Sequence, residues 1–214
     1  MKKFDGVIFD IDGTLASTNE LICASFNHIA GKYLQRQFSW KEIQSLFGPT
    51  EDEIIKDLMK ENFEEARKDY HDYYSAKHSA MAEIYPGMKE IVFKLKKQGV
   101  LLSIYTGKGR KSSEITLKEF GIFDYFDMIV SGDDINGQKP SPDGIEVFIL
   151  KYNLPKDKVL MVGDAPPDIL AARNAGIQVA SVIWDSYAKE RVLEMKSDFV
   201  FNSVQELDRF LTGG

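Results

Sequence analysis

Five short apolar runs constrain the fold of this sequence more than any other feature. They are GVIFDI (6–11), LLSIYT (101–106), FDMIVS (126–131), VLMVGD (159–164) and QVASVI (178–183). Each is nearly continuous in apolar residues, which indicates strands covered on both faces, as in a parallel sheet. Helical patterns separate most of the runs and end at glycines such as Gly121 and Gly176. The alternation predicts an α/β fold with a doubly wound, mostly parallel sheet, in which 198–203 forms a sixth strand and 204–211 a closing helix.

One long segment interrupts this alternation. Between residues 16 and 84 we find no convincing strand. The first apolar stripe at helical spacing consists of Leu21, Ile22, Phe26, Ile29 and Tyr33. The stretches SWKE (39–42) and TEDE (50–53) fit capping boxes, in which side chains satisfy free backbone amides at a helix start. The segment 16–84 is therefore predicted to be an all-helical domain inserted into a core formed by 1–15 and 85–214.

The composition narrows the possible functions. The 214 residues are 43% hydrophobic, enough for a sizeable core, and the formal net charge of −6 argues against a nucleic-acid binder that relies on phosphate contacts. Cys23 is the single cysteine, so no intrachain disulfide can form. Acidic residues interrupt the apolar N-terminus, and no stretch reaches the roughly 18 apolar residues of a membrane helix. We expect a soluble cytoplasmic protein with no membrane partner, either a monomer or a homodimer.

Polar and charged residues follow the predicted strands at the points where these end. Asp10 and Asp12 close the first run, Thr106 closes the second and Asp164 closes the fourth, while Lys139 follows the third run in a loop. Ligands of open parallel sheets bind beyond the carboxyl ends of the strands, so we expect these side chains to lie close together.

Taken alone, each of these residues has an ordinary interpretation. The Asp-Ile-Asp-Gly stretch fits a turn, Thr106 fits a helix N-cap, and Lys139 fits a solvated loop. The stretch from Asp164 to Asp168 fits a turn into a helix. Their joint placement at strand ends favours a ligand-binding site. Clustered carboxylates repel one another, so such a site requires a cation. Carboxylate oxygens are hard ligands, so the cation they indicate is Mg²⁺.

In this order the residues resemble the motifs of the haloacid dehalogenase-like hydrolase superfamily. The sequence carries DIDGT from Asp10, a threonine at Thr106, KP at Lys139 and GDAPPD around Asp164. The resemblance spans the whole length and implies a Rossmann-like core with a helical cap inserted after the first motif. Within the superfamily the sequence is most similar to the phosphoglycolate phosphatase-like branch, judged from DGTL, the Pro-Gly pair at 86, TGK, KPSP and GDAPPDILAARNAG.

Two positions depart from that branch. Ser17 stands where the branch often has an acid, and Gly107 stands where it often has asparagine. Both departures affect the expected substrate and leave the expected chemistry unchanged.

The resemblance implies a role for each motif residue. Asp10 would be the nucleophile that forms an aspartyl phosphate, and Asp12 would protonate the leaving oxygen and then activate water. Mg²⁺ would bind Asp10, Asp164 and the backbone carbonyl of Asp12. Thr106 and Lys139 would hold the remaining phosphoryl oxygens.

Other residues are assigned supporting roles. Asp168 would orient the surroundings of the metal or Lys139. Lys108 could meet a distal anionic group, although a solvated lysine is the default interpretation. The predicted substrate contacts are Gly13, Thr14, Gly107 and Lys108. The residues interpreted as structural are His28, His71, His78, Tyr70, Tyr73 and Tyr74.

These roles predict a Mg²⁺-dependent phosphatase that hydrolyses a small phosphorylated metabolite similar to phosphoglycolate. A phosphomutase similar to β-phosphoglucomutase and an inorganic pyrophosphatase are alternatives with the same fold. A phospho-receiver or a non-catalytic binding module is a remoter one. Asp12 argues against a dehalogenase, because a halide leaving group needs no proton and an oxygen leaving group does.

Overall fold

A computed structural model describes residues 2–135 and 137–213. The strands are β1 (Gly6–Phe9), β2 (Ala16–Ser17), β3 (Glu83–Ile84), β4 (Leu101–Tyr105), β5 (Met128–Val130), β6 (Val159–Gly163), β7 (Gln178–Val182) and β8 (Phe199–Phe201). The helices are α1 (Asn19–Leu34), α2 (Trp40–Gln44), α3 (Glu51–Met59), α4 (Phe63–Met81), α5 (Met88–Lys97), α6 (Arg110–Glu119), α7 (Asp143–Tyr152), α8 (Pro166–Ala175), α9 (Lys189–Glu194) and α10 (Val204–Thr212).

Six of the strands form one sheet in the order β5-β4-β1-β6-β7-β8, and all neighbouring pairs are parallel. The predicted doubly wound α/β fold is confirmed, and so is the sixth strand. All six predicted strands end one or two residues before the predicted end. β1 lies near the centre of the sheet, with β4 and β5 on one side and β6, β7 and β8 on the other, so the strand order reverses its direction at β1. This switch point is the usual ligand site of such sheets.

Successive residues of the strands point to opposite faces of the sheet and enter two separate apolar cores. Val7 of β1 packs into the core shared with α5 and α10, whereas Ile8 packs into the core shared with α7 and α8. β6 repeats the pattern with Leu160 and Met161. Helices therefore cover both faces of the sheet, which explains why the strands read as continuous apolar runs.

The helices α1 to α4 form a third apolar core of their own between β2 and β3. Both predicted capping boxes are present, at Ser39 with Glu42 and at Thr50 with Glu53. No helix within 2–135 or 137–213 is both long and apolar enough to cross a lipid bilayer.

The expectation that 16–84 contains no strand is wrong at the two ends of the segment. Ala16 of β2 pairs with Ile84 of β3, and Ser17 pairs with Glu83, in an antiparallel ribbon. Two residues are too few to show an alternating pattern, and the partner strand is distant in sequence, so the sequence holds no local signal for this ribbon. The chain therefore enters the helical segment through β2 and leaves it through β3, and these two strands pair with each other.

Two buried tyrosines in α4 provide a matched test of how the helical segment is stabilised. Tyr70 and Tyr74 are both fully buried, but the Tyr74 hydroxyl hydrogen-bonds to Thr116 Oγ1 at 2.8 Å, while the Tyr70 hydroxyl has no partner among the described residues. We expect Tyr70→Phe to raise the free energy of unfolding by about 1 kcal/mol and Tyr74→Phe to lower it by about 1 kcal/mol. Urea denaturation of both variants measures the difference; equal effects would contradict this assignment.

Candidate active site

The functional side chains predicted from the sequence meet at the carboxyl ends of three adjacent strands. Asp10 directly follows β1, Thr106 directly follows β4, and Asp164 directly follows β6. Lys139 reaches the same place from the loop between β5 and α7, and Asp168 reaches it from the first turn of α8. β1 pairs with both β4 and β6, so the register of the sheet brings these strand ends together.

A buried lysine joins two of the carboxylates. The Lys139 ammonium donates to Asp10 Oδ1 at 2.7 Å and to Asp168 Oδ1 at 2.6 Å. Burial alone would lower the pKa of Lys139, but the charges of Asp10 and Asp168 outweigh it and hold the pKa above its ordinary value. Burial raises the pKa of Asp10 to about 6 despite the opposing charge of Lys139. The site therefore concentrates more negative charge than its buried lysine can balance.

The carboxylates could hold a metal ion. Asp10, Asp164 and Asp168 are buried, and each offers an oxygen within 4.8 Å of the other two. Burial raises the pKa of Asp164 well above its usual range, and the neighbouring Asp168 and Asp10 raise it further. A divalent cation would relieve this repulsion, and hard carboxylate oxygens suit Mg²⁺, so the residues fit the ion.

Asp168 is less suited than its neighbours to bind the ion directly. Its Oδ1 accepts from Lys139, and its Oδ2 accepts from the backbone amide of Ala165 at 3.0 Å. Both oxygens are thus engaged in holding Lys139 and the start of α8. The orienting role of Asp168 stays a prediction, and these two bonds favour Asp10 and Asp164 as the carboxylates that would hold a metal.

Gly13 and Thr14 both pack against Asp164. Gly13 has φ +81°, and a Cβ there would lie 2.5 Å from Asp164 Oδ2, so the close approach requires glycine. Its amide donates to the Ala16 carbonyl at 2.9 Å and is not free for a phosphate. The fully buried Thr14 places Oγ1 3.4 Å from Asp164 Oδ1 and does not line the cavity. Thr14 therefore packs against Asp164 and is placed away from the substrate, whereas the predicted substrate contact of Gly13 stays a prediction, since Gly13 lines the cavity.

Asp12 is held by a second group of side chains. Lys108 Nζ lies 3.3 Å from Asp12 Oδ1 and 3.2 Å from Oδ2, and the Thr18 hydroxyl donates to Oδ1. Glu51 of α3 reaches Lys108 from the helical segment, with Oε1 3.5 Å from Nζ. The default interpretation of Lys108 as a solvated lysine is wrong, because its side chain is 1% exposed. The residues near Lys108 in sequence do not indicate this burial, because Lys108 lies in the loop after β4 and the residue that covers it, Glu51, belongs to the distant helix α3.

Thr106 and Gly107 line the cavity, as does Lys108. Thr106 Oγ1 accepts from the Lys108 backbone amide at 3.2 Å, and its own amide donates to Val130 at 3.0 Å. These bonds fix the loop after β4. The Thr106 hydroxyl proton is left for another acceptor.

The cavity has a volume of about 180 Å³ and contains residues that were not singled out in the sequence. Its charged lining consists of five carboxylates and two lysines, Lys108 and Lys139. The helical segment contributes an apolar wall made of Ile22, Phe26, Phe47, Pro49 and Ile54. Tyr187, from the loop before α9, lies at the rim and is 52% exposed. Its isolated loop position offers no sequence signal, whereas Glu51 follows a predicted helix cap and could have been weighed.

The other polar residues of the helical segment lie where a structural role places them. His71 Nε2 lies 2.9 Å from Asp52 Oδ1, His78 packs against Phe120, and His28 stacks on Tyr73. Arg110, at the start of α6, donates to the Ile129 carbonyl and pairs with Asp134.

The chain belongs to the haloacid dehalogenase-like hydrolase family, whose model matches residues 7–182. It is 36% identical over 205 residues to the pyrophosphatase PpaX of Halalkalibacterium halodurans, covering 96% of this chain and 95% of the relative. It is 32% identical over 205 residues to the PpaX of Bacillus thuringiensis, with the same coverage. A structure described as a predicted phosphoglycolate phosphatase from Haemophilus somnus superposes with a TM-score of 0.86 at 25% identity, over 98% of this chain and 99% of the other.

The charge balance at Lys139 can be tested through stability. Lys139→Met would leave two buried carboxylates without their cation, so we expect the free energy of unfolding to fall by about 3 kcal/mol. Lys118→Met removes a lysine whose pair with Glu114 is exposed and should cost under about 1 kcal/mol. Urea denaturation without added metal measures both values. A loss no larger for Lys139→Met than for Lys118→Met would show that the buried pairs contribute no stability.

Proposed function

We propose that this member of the family is a Mg²⁺-dependent phosphatase that hydrolyses a small phosphorylated metabolite through a covalent phosphate on Asp10. The observation that carries the proposal is that Asp10 and Asp12, two residues apart in sequence, have different surroundings. Asp10 is bound by Lys139 beside Asp164, whereas Asp12 is bound by Lys108 and Thr18. Two carboxylates in different surroundings can act as nucleophile and as acid–base.

The proposed reaction has two steps. In the first, the oxygen of Asp10 that Lys139 does not bind attacks phosphorus, the bond to the leaving oxygen breaks, and Asp12 donates a proton to that oxygen. In the second, Asp12 takes a proton from water, the water oxygen attacks phosphorus, and the bond to Asp10 breaks. Phosphate is released and both acids return to their starting states.

The remaining residues of the site orient the phosphoryl group. The Thr106 hydroxyl and the Lys139 ammonium would hold its oxygens, and Gly107 leaves space beside them. Asp10 and Asp164 would hold Mg²⁺, which supplies positive charge that lets an anionic phosphate approach a carboxylate. Charge stabilisation and positioning account for most of the catalysis of phosphoryl transfer, so this set of groups suffices.

We further propose that residues 16–84 act as a cap domain over a core of 1–15 and 85–214. The cap residue Glu51 contacts Lys108 of the core, and the apolar side chains of α1 and α3 close one side of the cavity. A cap in this position would exclude water from the first step and admit it for the second.

Two substrates have support from similar proteins. The relatives at 32–36% identity are named pyrophosphatases, and the solved structure at 25% identity is named for phosphoglycolate. A phosphomutase would use the same two acids but return the phosphoryl group to a sugar. Phosphate release without a bisphosphate sugar therefore separates the phosphatase from that alternative.

The nucleophile is tested with Asp10→Asn. We expect phosphate release from every accepted substrate to fall by about 10³-fold or more, because a neutral amide cannot form the acyl phosphate. Chelation of divalent ions should abolish the wild-type activity, and added Mg²⁺ should restore it. Inorganic phosphate is measured by colorimetry over a panel of small phosphate esters and pyrophosphate. A variant as active as wild type would rule out covalent catalysis at Asp10.

The acid role of Asp12 is tested by changing the leaving group. Asp12→Asn should lower turnover of alkyl phosphates by about 10²–10⁴-fold, because an alkoxide needs the proton. p-Nitrophenyl phosphate has a leaving group that departs as the anion, so its first step should lose far less. A rapid burst of p-nitrophenol in stopped-flow measurements reports that step alone. Equal losses of the first step for both kinds of ester would contradict the assignment of Asp12 as general acid.

A further inference from the structure

The part of the cavity next to Asp12 is the part that receives the leaving group, because Asp12 is the proposed proton donor to the leaving oxygen. We call it the leaving-group half and define it by Asp12, Lys108, Glu51 and the apolar wall. The wall belongs to the helical segment and consists of Ile22, Phe26, Phe47, Pro49 and Ile54. Whatever group is attached to the phosphate must fit against these side chains.

Lys108 is the one cation that lines this half within the described residues. The other lysine of the cavity, Lys139, is bound to Asp10 and Asp168 on the metal side. The Lys108 side chain is 1% exposed, and its ammonium lies 3.2 Å from Asp12 Oδ2 and 3.5 Å from Glu51 Oε1. Two carboxylates thus face a single ammonium. Glu51 balances the charge of Lys108 even when Asp12 carries the proton that it donates, so no positive charge is left over for a second anionic group.

Glu51 is fixed in this position by the core. It is the first residue of α3, its side chain is 8% exposed, and its Oε2 accepts from the backbone amide of Gly109 at 2.5 Å. A Cβ at position 109 would lie 2.8 Å from that oxygen, so glycine permits the close approach. One carboxylate oxygen binds the loop after β4 and the other faces Lys108. The negative charge of Glu51 is therefore held inside the cavity.

We propose that Glu51 is a specificity-determining residue that excludes a second anion from the leaving-group half, so that the preferred substrates are phosphomonoesters with an uncharged leaving group. A carboxylate or a second phosphate would meet the buried charge of Glu51 with Lys108 already neutralised. Such a juxtaposition of like charges weakens binding and gives selectivity against the charged partner. The apolar wall offers an uncharged group a favourable surface.

The inference rests on the proposed phosphatase function and is tested by a pair of matched substrates. 2-Hydroxyethyl phosphate is phosphoglycolate with an uncharged hydroxymethyl group in place of the carboxylate, so the two differ in the charge of the leaving group. Phosphate release is measured as kcat/KM for both esters and for pyrophosphate, with Mg²⁺ present. For wild type we expect kcat/KM on 2-hydroxyethyl phosphate to exceed both other values by about tenfold or more.

The matched variants are Glu51→Gln and Asp57→Asn. Both remove one negative charge from α3, but Asp57 is exposed and outside the cavity. Glu51→Gln should shift the ratio of kcat/KM values by about tenfold towards phosphoglycolate and pyrophosphate, and Asp57→Asn should leave the ratio unchanged. Circular dichroism confirms that each variant is folded.

Several results would overturn the inference. A wild-type preference for pyrophosphate or phosphoglycolate would do so even if Glu51→Gln failed to fold. An equal loss on all three substrates in Glu51→Gln would show that Glu51 serves only to hold the structure. Absence of phosphate release by wild type from any phosphate ester would contradict the phosphatase function, and the inference would fall with it. A changed ratio with intact turnover of the uncharged ester supports the selectivity role.

Discussion

The site depends on burying a group of carboxylates at the centre of an apolar sheet, which is unfavourable unless cations accompany them. Lys139 meets part of this requirement through its bonds to Asp10 and Asp168. The raised pKa values of Asp10 and Asp164 show that the requirement is not fully met by protein groups. This excess of negative charge suits the site to Mg²⁺, because a divalent ion supplies positive charge that the protein groups lack.

On each side of the cavity one lysine lies between two carboxylates. Lys139 lies between two carboxylates on the metal side, and Lys108 lies between Asp12 and Glu51 on the leaving-group side. Lys139 binds Asp10 at the end of β1 and Asp168 in the first turn of α8, both of which lie outside the helical segment. The group around Lys108 is completed by a residue of the helical segment, so the position of Asp12 depends on contact between the segment and the core. Two neighbouring acids thereby acquire separate electrostatic surroundings.

The sequence was sufficient to predict the sheet and the strand-end residues because both depend on local pattern. Apolar runs identify buried strands, and the parallel topology then places Asp10, Thr106 and Asp164 at one edge. The burial of Lys108 could not be predicted in this way, since it depends on Glu51 and Asp12, which are far from it in sequence. The β2–β3 ribbon and the engaged amide of Gly13 are likewise products of tertiary contact. Local pattern carries no information about such pairings.

Membership of the family and the choice of substrate have different structural origins in this chain. The groups proposed to handle the phosphoryl unit lie near the strand ends of the core, within the residues that the family model matches. The groups proposed to meet the rest of the substrate come mainly from α1, α3 and the loop before α3, which form the apolar wall of the cavity. Relatives can therefore share the first set while differing in the second, and a single carboxylate there is enough to reverse the charge that a leaving group encounters. For this reason the name of a relative predicts the reaction more securely than it predicts the substrate.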